Sequence, residues 1–483
     1  MRILVATSEA VPYIKTGGLA DVTGALLREF RKKNEEAFLI LPLYSAIKNN
    51  FKLYRTGKSF SITLGDITLE AVIWASGKSP NPESYFIECD ALYGRAELYG
   101  TAEGNYPDNA LRFIFFSRAV LETCSVMNIS PDIIHCNDWH TAMIPLYLKT
   151  MYRNNKFLKD TAVIFTIHNL GYQGIFDASD MKYTGLGPDF FTPEGLEFYG
   201  RLNIMKAGLL YADVINTVSI TYAREILQRE NGFGLDGLLR KRRNDLHGIL
   251  NGLYSDEWSP AVDGCIPGHY DPDDVKGKAK CKKILLRDVE LDDKKLPLLG
   301  VVSRLSSQKG LDLIYNSLEE LVSMRANIIM LGKGDSYYQK LFSDAAKKYR
   351  GKISVEIGFE ESLARRIYAG SDFFLMPSRY EPCGLGQLIA MKYGTVPIAR
   401  KTGGLADTIQ DYNHILMEGR GFLFSDYTPA AMQNAVKRAL CVFTDRKRMK
   451  KMIRDAMTSD FSWKTSAEKY LGLYKKAISK VKE

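Results

Sequence analysis

The sequence contains no apolar run near the roughly 18 residues that a membrane-crossing helix needs. It also lacks a secretory leader pattern. In MRILVATSEAVPYIK one basic residue precedes a short apolar stretch, and Glu9 and Pro12 cut that stretch off. Seven cysteines occur at irregular spacings with no CxxC pair, which excludes a disulfide framework and fits reduced thiols. The expected compartment is the cytoplasm, with no membrane partner. Charge of one sign is scarce too: 65 Lys and Arg stand against 56 Asp and Glu, a net +9 spread along the chain. The densest basic run, Arg240–Arg243, is short and reads as a solvated helix end, so a nucleic-acid partner is not expected.

Several catalytic signatures are missing. There is no GxxxxGK[ST] phosphate loop, no HExxH, no GxSxG and no Cys/His zinc spacing. GKGDSY at Gly332–Tyr337 lacks the third glycine of a redox-dinucleotide fingerprint. The acidic turn Asp271–Asp274 reads as solvated, and no residue pattern demands a metal or a resident cofactor.

What is present suits a globular chain of two or three domains, with 46% hydrophobic and 25% charged residues over 483 positions. In the second half, short apolar runs (LPLLGVVSR, NIIMLGK, ISVEIGF, DFFLMPS, VPIAR, GFLF) alternate with amphipathic stretches at 310–325, 336–349 and 361–369. Near-continuous apolar strands between helices predict a parallel sheet covered on both faces, a doubly wound α/β domain. The first half repeats the pattern in RILVAT, AFLILPL, DIIHCND, AVIFTIHN and ADVINTVS, with strict alternation around 51–89 that predicts an inserted antiparallel hairpin. HGILNGLYSDEWSPAVDG is the expected switch between the halves. The resulting division is 1–248, 249–462 and a last helix, 463–483.

KTGGLAD occurs twice, at Lys15–Asp21 and at Lys401–Asp407, each time after a strand and before a helix. Two doubly wound domains would each carry one such loop at the carboxyl edge of their sheet. Gly17-Gly18 and Gly403-Gly404 let backbone approach a ligand, and a helix start offers unpaired N–H groups and a positive dipole end. That predicts an anion or phosphate site, strengthened by Lys15. Other polar residues fall at strand ends: Asn137-Asp138, His168-Asn169, Arg304 with Lys309, Lys333, and Glu381 in SRYEPCGL. Ligands of open α/β sheets bind at that edge. Transfer from a nucleotide-activated donor fits such a set, because Lys and Arg would stabilise the departing pyrophosphate. Carboxylates and carbonyls would stabilise an oxocarbenium-like carbon.

KTGGLADV at Lys15–Val22, HNLGYQG at His168–Gly174, GFGLDGLL at Gly232–Leu239, VVSRLSSQKG at Val301–Gly310 and the block from Ser378 to Ile409 together identify a resemblance. Over nearly its whole length the chain resembles the starch synthase family, the bacterial glycogen synthases. The resemblance implies two facing Rossmann-like domains with an interdomain cleft (the GT-B type). It further implies metal-independent, retaining transfer of glucose from ADP-glucose to the non-reducing end of an α-1,4-glucan. By motif match, Lys15 would contact the donor and Gly17 and Gly18 would close on it. Arg304 and Lys309 would hold the diphosphate, and Glu381 would bind the glucosyl unit beside the backbone of Cys383, Gly384 and Leu385. Asp138, His168 and Asn169 would line the sugar side, and Asp21 would lie near the acceptor. Thr402, Gly403 and Gly404 would bring the second loop to the donor, and the last helix would cross back to the first domain.

Three positions depart from the family pattern or carry its variable features. Tyr254 replaces the acid of the usual NGID turn. Phe359 stands where Tyr is common, keeping a ring to stack on the base without its hydroxyl. Position 389 is Ile, so ribose recognition must come from elsewhere. Transfer from UDP-glucose or to another acceptor is the alternative within the enzyme class. A non-catalytic glucan-binding protein is the alternative outside it, and it predicts loss of Lys15, Arg304, Lys309 or Glu381, all of which are present.

Overall fold

The computed structural model describes residues 1–78, 81–101, 103–254, 257–292 and 295–482. The chain divides into two compact units: Met1–Val218 with Ala223–Ile249 and Trp463–Glu483, and Ser219–Tyr222 with Leu250–Ser462.

The first unit is built on a nine-stranded sheet. Its strands are β1 (Arg2–Ala6), β2 (Glu36–Pro42), β3 (Tyr54–Leu64), β4 (Ile67–Lys78), β5 (Asn81–Glu88), β6 (Ile133–Asn137), β7 (Ala162–Ile167), β8 (Val214–Thr217) and β9 (Leu246–Gly248). The order is β9-β8-β7-β6-β1-β2-β5-β4-β3. Neighbours from β9 through β5 pair in parallel, and at one edge β4 alone runs against the sheet, antiparallel to both β5 and β3. Ile3, Leu4, Val5 and Ala6 have no solvent-accessible surface, as expected of a strand covered on both faces. The antiparallel segment is therefore not a separate insertion. Strand β5 pairs in parallel with β2, so the segment extends the main sheet.

The helix Trp463–Lys482 belongs to this unit. Its buried residues Trp463, Ala467, Tyr470, Tyr474 and Ala477 recur every three or four positions, which makes one face apolar. Along that face the Tyr470 hydroxyl accepts from Asn216 at 2.9 Å, and the Tyr474 hydroxyl meets His135 Nδ1 at 2.8 Å.

The second unit holds a six-stranded, all-parallel sheet of β10 (Leu298–Val302), β11 (Asn327–Gly332), β12 (Ile353–Ile357), β13 (Phe373–Met376), β14 (Val396–Arg400) and β15 (Phe422–Phe424), in the order β12-β11-β10-β13-β14-β15. The strand order reverses between β10 and β13 here, and between β1 and β6 in the first unit. Both units are thus doubly wound α/β folds with a topological switch point, where ligand sites form outside the strands' carboxyl ends.

Details differ from the sequence expectation. The stretch 310–325 is two short helices, Leu311–Tyr315 and Leu318–Ser323, because Asn316 and Ser317 interrupt the turn. The stretch expected to join the halves begins as strand β9, paired in parallel with β8; its residues 255 and 256 lie outside the described residues. A small antiparallel sheet of Ile175–Phe176, Arg201–Asn203 and Glu197–Phe198 was not anticipated, since strands of two or three residues leave no period to read.

Candidate active site

In the first unit, the chain leaving β1 and the chain leaving β6 flank the switch point. Asp138 follows β6 with a left-handed backbone, φ 53°, unusual for a non-glycine residue and a mark of local strain. That turn aims its carboxylate at the chain leaving β7, where Oδ1 accepts the His168 amide at 2.7 Å. The Asn169 amide also donates to the carboxylate. Burial nonetheless pushes the Asp138 carboxyl up to about 7, with the charge of Glu9 adding to the shift. His168 is half-buried and burial holds its ring neutral, down to about 3. The Asn137 amide nitrogen donates to the carbonyls of Ala6 and His135, so its oxygen accepts. His168 Nε2, 2.9 Å from that oxygen, therefore carries the proton. This tautomer leaves Nδ1 as an acceptor suited to a sugar hydroxyl. Asn169 Oδ1 is engaged locally by the Gly171 amide at 3.0 Å.

The first KTGGLAD loop is fixed by a residue that sequence reasoning missed. Glu9, 4% exposed, accepts from the Thr16 amide at 2.5 Å, the Thr16 hydroxyl at 3.0 Å and the Gly17 amide at 3.1 Å. Two amides expected to face an anionic ligand are therefore occupied by the chain's own carboxylate. Lys15 projects from the loop, 47% exposed, and pairs with Asp21 at 2.8 Å on the first turn of the helix Gly18–Lys32. A Cβ built on Gly17 meets nothing within 4 Å, and Gly18 is exposed. Glu9 lies at the carboxyl end of β1, so the strand-end rule that picked Asp138 could have found it.

In the second unit, Arg304 and Lys309 follow β10, and Glu381 follows β13. Lys309 Nζ donates to both carboxylate oxygens of Glu381, at 2.9 and 2.7 Å, and the Ser378 hydroxyl donates to one of them at 2.9 Å. Glu381 is nearly buried, so the pair is shielded from water. Arg304 is exposed on its loop. Cys383 is buried beside Glu381, and desolvation pushes its thiol up to about 12. Gly384 has φ 75°, and Leu385 caps the start of the helix Gly386–Lys392. Phe359 is 77% exposed beyond β12. Lys333 is likewise exposed.

The second KTGGLAD has the same sequence but a different environment. Thr402, Gly403 and Gly404 are buried. The Gly404 amide donates to the Glu381 carbonyl at 3.0 Å. A Cβ on Gly403 would lie 1.9 Å from the Glu381 carbonyl oxygen, and one on Gly404 2.0 Å from that of Cys383. These glycines let one backbone lie against another and so position Glu381. Asp407, the counterpart of Asp21, accepts from the Thr221 amide and hydroxyl at 2.9 and 2.5 Å, while Lys401 is exposed without an ion-pair partner among the described residues.

Two other motif blocks meet in the first unit. Buried Gln173 of HNLGYQG donates to the Phe233 carbonyl at 3.0 Å. GFGLDG around Phe233 does have GxGxxG spacing, a match the sequence reading overlooked. It follows the helix Ile220–Glu225 and runs into the helix Asp236–Lys241, with no strand before it, so it is no dinucleotide fingerprint. No group of three or more His, Cys, Asp or Glu side chains among the described residues is arranged to hold a metal ion. No helix among them is long and apolar enough to cross a membrane.

Residues 2–241 match the family described as the starch synthase catalytic domain, and residues 282–456 match glycosyl transferases group 1. The chain is 47% identical to a glycogen synthase of Geotalea daltonii, covering 99% of each, and 43% identical to a glycogen synthase of Thermodesulfovibrio yellowstonii, covering 99% and 98%. Among solved structures it is similar to the catalytic domain of starch synthase IV from Arabidopsis thaliana bound to ADP and acarbose, with TM-score 0.90, 31% identity and 99% of each chain covered. A sucrose-phosphate synthase of Thermosynechococcus elongatus, at TM-score 0.62 and 16% identity, shares the fold.

Proposed function

The chain belongs to the starch synthase family, and from that premise we propose that it is a glycogen synthase. It transfers glucose from ADP-glucose to the non-reducing end of an α-1,4-glucan with retention at the anomeric carbon. The observation that carries the reading is the Lys309–Glu381–Ser378 cluster at the switch point of the second unit, with the second KTGGLAD loop packed on its backbone. The similar starch synthase IV domain was solved with ADP and acarbose, which supports a nucleoside diphosphate and a glucan as the ligand classes here.

In this reading Arg304 and Lys309 hold the diphosphate and offset the charge that grows as it departs, an effect typically worth about 10²–10³ in kcat for one donor. Lys15 contributes a further cation, and Gly17 and Gly18 lie against the donor. The neutral ring of His168 accepts a sugar hydroxyl at Nδ1, while Asp138 and Asn169 shape the same pocket edge and Asp21 faces the acceptor. Glu381 binds the glucosyl unit. Its carboxylate already accepts three hydrogen bonds, two from an ammonium, which damps its nucleophilicity. This favours attack by the acceptor on the face the diphosphate leaves, with the leaving phosphate taking the acceptor proton, over a covalent glycosyl-enzyme. A Glu381-glucosyl adduct in intact mass spectra would overturn that step.

The deciding experiment is glucose incorporation into glycogen by the purified protein from ADP-glucose and UDP-glucose in parallel. A strong preference for ADP-glucose is expected. Preference for UDP-glucose would redirect base recognition to Phe359 and its neighbours, and no transfer from either would overturn the reading.

A further inference from the structure

A cation with no ion pair among the described residues lies deep in the first unit. Arg112, with no exposed surface, donates from Nε to the Leu92 carbonyl at 2.8 Å, and from Nη1 to the Leu98 carbonyl at 2.8 Å and to Asn109 Oδ1 at 2.7 Å. It makes no ion pair among the described residues. Burying a guanidinium without an ion pair is costly. Here the carbonyl acceptors, the ring faces of Tyr93, Tyr106 and Phe113 and the charge of nearby Asp108 offset that cost, and what Arg112 holds is the chain around Leu92 and Leu98. That chain leads directly to Tyr99. The Asn109 side chain donates to the Tyr99 carbonyl at 2.8 Å, and the Tyr99 ring lies 4.8 Å from His140 and 6.0 Å from Phe113 between ring centroids. So fixed, the Tyr99 hydroxyl reaches Ser8 Oγ at 2.7 Å and donates to Glu9 Oε1 at 3.2 Å. Glu9 is also anchored through its backbone, where the Thr23 hydroxyl donates to its carbonyl at 3.0 Å. From this fixed position Glu9 takes up the Thr16 and Gly17 amides and the Thr16 hydroxyl, the residues that directly follow Lys15.

We propose that Glu9, held by Tyr99 and by the buried Arg112, is a positioning residue that sets the Lys15 loop for transfer and acts on the reaction only through that loop. The proposal rests on the assignment of Lys15 to the donor. It also gives the loop a different logic from a phosphate-binding nest: Glu9 turns two of its amides inward, and the loop presents its lysine and the open face of Gly17 instead. The loop is thus held on two sides, by hydrogen bonds from its amides to Glu9 behind and by the ion pair of the Lys15 ammonium with Asp21 ahead.

The test is a double-mutant cycle on the full-length enzyme with ADP-glucose and glycogen, comparing Lys15→Ala, Glu9→Ala and both together. Lys15→Ala is expected to lower kcat about 10²-fold. Glu9→Ala should lower it to a similar degree, with KM for the donor changed less than about threefold. The double variant should then be no worse than the lower single variant, within about threefold. Glu9→Gln, which keeps an acceptor oxygen for the two amides, should recover kcat to within about fivefold of the native enzyme. Losses that multiply in the double variant would overturn the proposal while leaving Lys15 assigned. Full turnover by Lys15→Ala would overturn the parent assignment instead. If Glu9→Ala does not fold, Tyr99→Phe decides: it keeps the ring contacts and removes only the hydroxyl. A kcat drop of about threefold or more at unchanged melting temperature supports the proposal, and native turnover overturns it.

Discussion

Asp138 combines a left-handed backbone, two amide donors on its carboxylate and burial strong enough to hold its proton to about pH 7. An unfolded aspartate releases that proton near 3.9. Between about pH 4 and 7 the folded chain keeps a proton that the unfolded chain has lost, so this group's contribution to stability is full below pH 4 and declines as pH rises through 7. Asp138→Asn keeps an acceptor for the two amides and removes the titration. Its unfolding free energy from urea titration, relative to the native protein, should therefore climb from pH 4 to 7 and level off above, by a few kcal/mol at most (~1.4 per pH unit). A constant difference across that range would refute the assignment. Cys383 makes a second residue-scale case. With its thiol pushed up to about 12 and its side chain buried, it should resist iodoacetamide at pH 8 while the exposed Cys265 and Cys441 react. Peptide mapping reads this directly, and carboxamidomethylation of Cys383 in the folded enzyme would count against it. Both residues were visible in the sequence as polar or reactive positions at strand ends. Their ionisation was not, because it depends on solvent exclusion by segments distant along the chain.

The repeated KTGGLAD shows what an element's surroundings add to its sequence. Both copies were legible as a turn into a helix after a parallel strand, since RILVA and VPIAR are apolar runs ended by polar residues and glycines. Their different roles were not legible, because seven identical residues cannot encode which backbone lies opposite. Glu9 behind the first copy and the Glu381–Cys383 backbone against the second decide it. Gly17→Ala should be nearly neutral in melting temperature, since the backbone is extended there (φ −154°) and a Cβ finds open space. Gly403→Ala combines φ 43° with a Cβ 1.9 Å from a carbonyl oxygen, and should cost about 3 kcal/mol or more and displace Glu381, cutting turnover with it. Equal thermal shifts for the two variants would contradict this distinction. Lys15→Ala should likewise impair donor use strongly and Lys401→Ala much less. The same limit explains the missed strand β9: Leu246–Gly248 has only three residues inside a Gly-rich stretch, and it is strand because β8 offers it an edge.

At the scale of the whole molecule, buried ionisable groups make the two units sensitive to acid in different pH windows. The first unit buries the imidazoles of His135 and His140 and half-buries that of His168. Desolvation holds His135 and His168 down to about 3 and His140 well below its usual range, with His135 locked between Thr166 and Tyr474. In the unfolded chain all three protonate near 6.5. Because their folded values are depressed, their contribution is fully present above pH 6.5 and is lost as pH falls toward 3. Asp138 works in the other direction over part of that window. Near pH 5 three protons oppose one, leaving a net loss of roughly 2.7 kcal/mol per pH unit of acidification. The second unit buries Lys278, lowered to about 7 by desolvation and held on the carbonyls of Ala369 and Tyr393 and the hydroxyl of Thr395. Its contribution is full above the unfolded value of about 10.4, declines as pH falls toward 7, and is constant below that. Acidification from pH 7 to 5 should therefore destabilise the first unit while leaving this term of the second unchanged. Amide hydrogen exchange, corrected for intrinsic rates, separates the two. Peptides spanning Ile133–Asn137 and Ala162–Ile167 should lose protection at pH 5 before those spanning Leu298–Val302 and Phe373–Met376. Parallel loss in both sets, or earlier loss in the second, would show that the buried imidazoles do not govern acid sensitivity.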